Sequence, residues 1–315
     1  MKILITPTSF NPESGSPAIA MLRAFADTLV FNNCGKPLSE DELIPMISDC
    51  DGCVAGLDYF TAKVIESAPN LKVISRYGVG VDRVDLAAAK ARNVVVCNTP
   101  GANSQAVADL TFALLLCAAR KVPVLNKKML EGQWPRSVGT ELYEKTIGIL
   151  GLGAVGKAVA RRAAGFSMKV IAYDPFIDRK YAAANGIFEA DFDAVIREAD
   201  FLCLHLPLNG ETRHIISADV MKAMKKDAII VNTARGGLID EDAAYEIMAS
   251  GHLGGMALDV YEAEPTPRLP LFDLENVVLT PHTASHTRES TENMATMSVR
   301  NLIDVLSGKK CQYII

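Results

Sequence analysis

A parallel α/β architecture built from two doubly wound sheets is predicted by three features of this sequence. Short apolar runs alternate with helical segments from residue 3 to residue 98, the pattern of a parallel sheet covered by helices on both faces. The same alternation resumes at residue 146 and continues to residue 280. Between the two, Asn98-Thr99-Pro100-Gly101 breaks the pattern with turn residues and marks a hinge. A chain of 315 residues is long enough for about two domains that each bury a core. Residues 1–98 are therefore assigned to one domain, completed by 286–315, and 99–285 to a larger domain inserted into it.

Composition narrows the class. Hydrophobic residues make up 49% and charged residues 22%, an ordinary globular balance. A net charge of -5 gives no reason to expect nucleic acid or an anionic membrane as partner. The longest apolar stretch, 110–119, is too short to span a bilayer, and Met1-Lys2-Ile3-Leu4-Ile5-Thr6 runs into a strand pattern without a signal-peptide core. A cytoplasmic location is expected. Seven cysteines, an odd number scattered through apolar segments, read as reduced core residues. Cys50-Asp51-Gly52-Cys53 has redox spacing, but no second pair or metal-ligand cluster accompanies it, so no metal is expected.

In the first domain, apolar strands are read at 3–6, 28–31, 52–56, 71–75 and 93–97, with helices at 18–27, 40–48 and 62–68. This is a flavodoxin-like open sheet. Ser75-Arg76-Tyr77-Gly78-Val79-Gly80 lies just past the carboxyl end of a strand, where open sheets bind ligands. Gly78 and Gly80 free backbone N–H groups to curl around a carboxylate, and Arg76 would add a fixed positive fork. The alternative is a turn with a solvated arginine. After the hinge comes a long helix, with Asn103 or Ser104 as N-cap and 106–120 as a nearly continuously apolar body. A basic, aromatic-marked segment, 127–136, follows and contains Trp134 and Arg136.

The second domain opens on Thr146-Ile147-Gly148-Ile149-Leu150, a buried strand that delivers the chain into Gly151-Leu152-Gly153-Ala154-Val155-Gly156. An Ala- and Arg-rich helix follows, and then a second strand, 170–173, that ends on Asp174. Strand before, helix after and an acidic strand tip give the glycine pattern the context of a Rossmann dinucleotide site. Gly151 allows the turn, Gly153 lets N–H groups approach a pyrophosphate, and Gly156 lets helix and strand pack. Ala154 and Val155 open the helix, and Asp174 would accept from ribose hydroxyls while repelling a 2′-phosphate, which favours NAD over NADP. Further strands at 201–205, 228–232, 256–260 and 277–280 complete the sheet, with helices such as 221–225 and 241–250 between them. Pro207, Thr233, Ala234 and Asp259, at or just past strand ends, are further candidate cofactor contacts.

Chemistry concentrates at the ends of the last strands. Arg235, in Asn232-Thr233-Ala234-Arg235-Gly236-Gly237, can pair its planar fork with a 2-oxo or 2-hydroxy carboxylate and polarise the adjacent carbonyl. A hydride cannot leave a hydroxy acid's carbon unless the hydroxyl proton goes to a base, and His282, in Thr280-Pro281-His282-Thr283, is suited to that near neutral pH. A carboxylate on its other ring nitrogen would fix the tautomer and favour the imidazolium. Glu264 is taken as that partner, with Glu262 as the substitute. His205, His214 and His252 are read as structural, and His286 is left open.

These residues resemble the D-isomer-specific 2-hydroxyacid dehydrogenases, and within them the phosphoglycerate dehydrogenase branch. The resemblance covers essentially the whole chain. It rests on Gly78-Val79-Gly80-Val81-Asp82-Arg83-Val84-Asp85, Asn98-Thr99-Pro100-Gly101, Gly139-Thr140-Glu141-Leu142, the glycine loop with Tyr173-Asp174-Pro175, the Arg235 motif, Asp259 with Glu264-Pro265, and Pro281-His282. It implies that Arg235, Glu264 and His282 form the catalytic set, that the active site lies in a cleft closed by a hinge, and that a homodimer forms through the long helix and the Trp134 arm. It implies a substrate role for Arg76, and Arg136 could add charge for a phosphate, which points to oxidation of D-3-phosphoglycerate in serine synthesis. Glu264 counts against the formate dehydrogenase branch, which carries Gln there. With the sequence ending at Ile315, feedback inhibition by serine through the C-terminal regulatory domain of many phosphoglycerate dehydrogenases is not expected, and glyoxylate and hydroxypyruvate reductases of the family are similarly short. Those reductases are the rival enzymes, and an NAD-sensing corepressor-like protein is the rival of another class.

Overall fold

Strands that are apolar on both faces cannot border water on either, and the chain resolves this by building two parallel sheets, each sandwiched by helices. The structure, a computed structural model, describes residues 1–10, 12, 13 and 15–315. It divides into one unit of residues 1–103 with 286–315 and another of residues 104–285. The first unit thus runs on to Asn103, past the Asn98 boundary expected from the sequence.

The first unit contains β1 (Lys2–Ile5), α1 (Pro17–Phe25), β2 (Thr28–Phe31), α2 (Glu40–Ile47), β3 (Gly52–Ala55), α3 (Ala62–Glu66), β4 (Val73–Arg76), α4 (Leu86–Ala91) and β5 (Val95–Cys97). Its sheet has the order β2-β1-β3-β4-β5, all parallel, which is the flavodoxin-like order. β3 and β4 are buried at every position, whereas edge strand β2 is only partly covered. Capping explains several helix starts: Ser39 and Glu42 form a reciprocal capping box on α2, and Thr61 and Asp85 cap α3 and α4. Cys50 and Cys53 are both buried core residues, and burial pushes the Cys50 thiol up to about 11.

The second unit contains α5 (Ser104–Arg120), α6 (Val122–Leu130), β6 (Thr146–Leu150), α7 (Ala154–Gly165), β7 (Lys169–Tyr173), α8 (Arg179–Ala184), β8 (Ile187–Glu189), α9 (Phe192–Glu198), β9 (Phe201–Leu204), α10 (Ala218–Ala223), β10 (Ile229–Asn232), α11 (Glu241–Ala249), β11 (Gly255–Leu258) and β12 (Val277–Leu279). Its parallel sheet runs β12-β11-β10-β9-β6-β7-β8. The chain therefore leaves β6 in one direction and returns to its other side at β9, the reversal at which doubly wound sheets bind ligands. One core cluster packs α5 and α7 on one face, and a second packs residues of α9, α10 and α11 on the other. Several elements depart from the sequence reading, helix α4 and the offset of α10 from 221–225 among them. The three-residue edge strand β8 was not foreseen, and the start of the basic segment 127–136 is the end of helix α6.

The long final helix, α12 (Arg288–Leu306), belongs to the first unit and packs on β3, β4 and α1. Beyond it the chain end lies along β5: Asn98 N donates to Tyr313 O at 3.2 Å, and Ile315 N to Val96 O at 3.0 Å. That covers an edge that would otherwise present unpaired backbone groups. No helix among the described residues is long and apolar enough to cross a membrane.

Candidate active site

The glycine loop is built by exclusion of side chains. Gly151 has φ +95, and a methyl group there would meet the carbonyl oxygen of His205 at 2.6 Å. At Gly156 it would collide with the carbonyl of Gly151. Gly153 differs, because the space around its would-be Cβ is open. Gly153 is also the N-cap of α7, without a side-chain cap bond, so the first N–H groups of a twelve-residue helix face that space. Gly153 and Ala154 are exposed, and Val155 is half-buried. Across the turn, Asp174 at the tip of β7 is oriented by two backbone donors: Leu152 N at 2.7 Å and Phe176 N at 2.8 Å. An open anion-binding helix start beside a fixed carboxylate is the donor and acceptor set that an NAD pyrophosphate and ribose require, so the residues fit this cofactor.

Three neighbouring strands deliver the reactive side chains. Arg235 follows β10, Glu264 follows β11 and His282 follows β12, so all three emerge from the carboxyl edge of the sheet. His282 Nδ1 lies 2.7 Å from Glu264 Oε2, and Glu264 Oε1 accepts from Tyr261 N at 3.1 Å. The His282 side chain is 24% exposed and that of Glu264 13%, so the imidazole is reachable while its carboxylate is shielded. His282 has φ 49, in the left-handed region, and its N–H donates to Asp259 O at 2.7 Å. Asn232, fully buried, shapes the Arg235 turn: its Nδ2 donates to Arg235 O at 2.8 Å, and its Oδ1 accepts from Ala234 N at 3.0 Å. Arg235 is half-buried and donates from Nη1 to Ala234 O at 2.7 Å.

Residues 112–284 match the family described as D-isomer specific 2-hydroxyacid dehydrogenase, NAD binding domain. The chain belongs to this family. It is accordingly an NAD-dependent dehydrogenase of D-2-hydroxy acids. The chain is 43% identical to a D-3-phosphoglycerate dehydrogenase of Methanocaldococcus jannaschii over 88% of its own length, but spans only 54% of that protein. It is 40% identical to a glyoxylate reductase of Korarchaeum cryptofilum, over 87% of this chain and 85% of the reductase. Among solved structures, a D-lactate dehydrogenase of Aquifex aeolicus complexed with NAD and lactic acid superposes with a TM-score of 0.83 at 26% identity, covering 97% of this chain and 96% of the other.

Several expected ligand contacts of the dehydrogenase face inward. Asp259 is fully buried, and its carboxylate accepts from Thr280 Oγ1 at 2.6 Å, Thr283 N at 2.8 Å and Ala284 N at 2.9 Å. In this structure it pins the loop that carries His282. Thr233 is 7% exposed, and its hydroxyl pairs with that of Thr111 on α5 at 2.9 Å. Arg76, predicted as a substrate-facing cation, is 3% exposed. Its Nε donates to Gly80 O at 3.0 Å and its Nη1 to Ala55 O at 3.2 Å and to Gly56 O, so it braces the turns at the sheet edge of its own unit. Tyr77 also turns inward, donating to Thr291 O at 3.0 Å.

Gly78, Val79 and Gly80 remain at the surface of that turn, with all three carbonyls engaged by protein donors. Pro207 is exposed and accepts from Thr212 Oγ1 at 2.7 Å, and Arg136 is exposed beyond α6. Glu262 does not reach His282; it pairs with His214. Sequence reasoning missed Asn232, Thr111 and this second pair. An Asn at a strand end before Thr-Ala-Arg-Gly is the one local signal, an Asx turn, that could have found Asn232.

Proposed function

We propose that the protein oxidises D-3-phosphoglycerate to 3-phosphohydroxypyruvate, with His282 as the proton acceptor. The observation that carries the reaction is the His282–Glu264 pair. Because Nδ1 faces Glu264 at 2.7 Å, its proton is held there and Nε2 carries the lone pair. Nε2 takes the substrate hydroxyl proton in oxidation and returns it in reduction, while the Glu264 carboxylate stabilises the imidazolium formed between. Arg235 pairs with the substrate carboxylate and polarises the adjacent C–O bond. The nicotinamide, when bound, supplies the hydride acceptor in one direction and the donor in the other. The turn at Gly78, Val79 and Gly80, with its carbonyls engaged, suits a loop that offers N–H groups to an anion.

The 43% identity to the M. jannaschii enzyme supports the phosphorylated substrate, as does exposed Arg136. A second reading, reduction of glyoxylate or hydroxypyruvate, is favoured by the brace role of Arg76 and by the fuller match to the K. cryptofilum reductase. We further propose that the working assembly is a cytoplasmic homodimer. Because Arg76 is buried, its replacement would disturb the fold and cannot separate the two substrates. Direct assay does: NAD reduction with D-3-phosphoglycerate beside NADH oxidation with hydroxypyruvate and glyoxylate. A marked preference in kcat/KM for the phosphorylated acid is expected. Turnover of the unphosphorylated acids alone selects the second reading, and NADH binding without turnover of any selects a sensor.

A further inference from the structure

A second histidine–carboxylate pair lies at the same sheet edge, and the reaction assigned above makes no use of it. Glu262 Oε1 is 2.6 Å from His214 Nε2, and Arg213 Nη2 donates to Glu262 Oε2 at 3.1 Å. The backbone N–H of Glu262 donates to Glu241 Oε1 at 2.8 Å. Glu262 is therefore held by side chain and main chain together.

The partners come from different loops. Arg213 and His214 lie on the loop after β9, where His214 N donates to Gly237 O at 2.8 Å, in the turn that follows Arg235. That turn presses on the Glu262 segment closely enough that a methyl group at Gly236 would strike the Tyr261 carbonyl and Glu262 N. A Cβ at Gly237 would sit 3.4 Å from Arg213 Nη1. The loops after β9, β10 and β11 thus meet around Glu262. Two residues further on, Glu264 contacts His282.

Charge supports the same arrangement. Burial, and then the nearby Glu262, Asp242 and Glu264, hold the Glu241 carboxyl above its usual range. Arg213 is the cation and His214 the titratable base that face Glu262 in this crowd of carboxylates. The stretch from Asp259 to Pro265 has no helix or strand to fix it, so its geometry depends on such contacts.

We propose that Glu262, clamped by Arg213 and His214, is a positioning residue that keeps Glu264 on His282 and ties that pair to the Arg235 loop. The inference rests on the reading of His282 as proton carrier. An ångström of misplacement at a reacting group costs up to about a hundredfold in rate.

The test compares Glu262→Gln, Glu262→Asp and the double variant Arg213→Met/His214→Gln with His282→Ala, each assayed for NADH binding, kcat, KM and the pH profile of kcat/KM. Glu262→Gln and the double variant are expected to bind NADH within about twofold of the parent and to lose roughly ten- to a hundredfold in kcat. KM should change little and the pH profile should move, with Glu262→Asp recovering part of the loss. Should Glu262→Gln not fold, the double variant decides. Parental kcat and pH profile in folded variants, with only a lower melting temperature, would overturn the proposal and leave a structural brace. If His282→Ala abolishes turnover and the clamp variants do not, the inference alone fails. If His282→Ala retains turnover, the reaction assignment fails first.

Discussion

At the scale of single residues, His282 and His205 show how the surroundings of one side-chain type decide its use. His282 is partly exposed, bonded to Glu264 and set at a strand end. Its replacement by Ala should lower kcat by about two to four orders of magnitude, the usual contribution of a positioned proton carrier. NADH affinity, set at the glycine loop, should stay near parental in a fluorescence titration; parallel loss of both would refute the division of labour. His205, by contrast, is only partly covered as a residue, yet its Nε2 is buried without a partner among the described residues. Burial lowers it to about 3, so it stays neutral in the folded protein. The unfolded chain binds that proton once pH falls below the ordinary histidine value. Stability is therefore complete above about pH 6.5 and is lost toward about pH 3, by at most about 1.4 kcal/mol per pH unit. His205→Gln removes that sensitivity. In urea melts at neutral pH and near pH 5, the stability difference should move in the variant's favour at the lower pH. A constant difference would mean that the ring is not held neutral.

At the scale of elements, the glycine loop separates folding from binding within six residues. A Cβ at Gly156 collides with the Gly151 carbonyl, whereas one at Gly153 meets nothing within 4 Å. Gly156→Ala should thus lower the melting temperature sharply, while Gly153→Ala should melt within a few degrees of the parent and lose NADH affinity at least about tenfold. Unchanged affinity in Gly153→Ala would remove the pyrophosphate from this loop. The loop was legible in the sequence because its signals are local: glycine spacing, the apolar run before it and Asp174 at the next strand tip. Edge strand β8 was not, because Ile187-Phe188-Glu189 is too short for alternation to register and two of its three residues are exposed. The protein partners of Arg76 and Asp259 escaped the sequence for another reason. The strand-end positions of these two residues were recognised, but whether a side chain there points to a ligand or into the protein depends on partners distant in sequence, such as Gly56 for Arg76 and Ala284 for Asp259. Chemistry called for a carboxylate beside His282 and the family resemblance pointed to Glu264, whereas the partners of Glu262 became visible only when three loops were brought together.

At the scale of the whole molecule, both sheets follow from strand and helix alternation, because a right-handed crossover in a parallel sheet leaves few topologies open. Among the described residues, large apolar side chains stand exposed along the stretch from α6 to Val138. α6 has no buried residue, and Leu130 is 82%, Trp134 78% and Val138 89% exposed, along a segment without helix or strand beyond Leu130. Large apolar side chains held that far into water are a liability unless another surface covers them. The homodimer proposed above would supply one, and burial of three such side chains per chain is worth roughly 1.5–3 kcal/mol each. Since Trp134 is the sole tryptophan, the protein reports on its own assembly. Dilution should shift its emission to the red as the dimer dissociates, and Leu130→Lys/Val138→Lys should sediment as a monomer with red-shifted emission at every concentration. Emission that stays red at high concentration, together with a monomeric sedimentation coefficient for the parent, would show that this segment does not form the dimer.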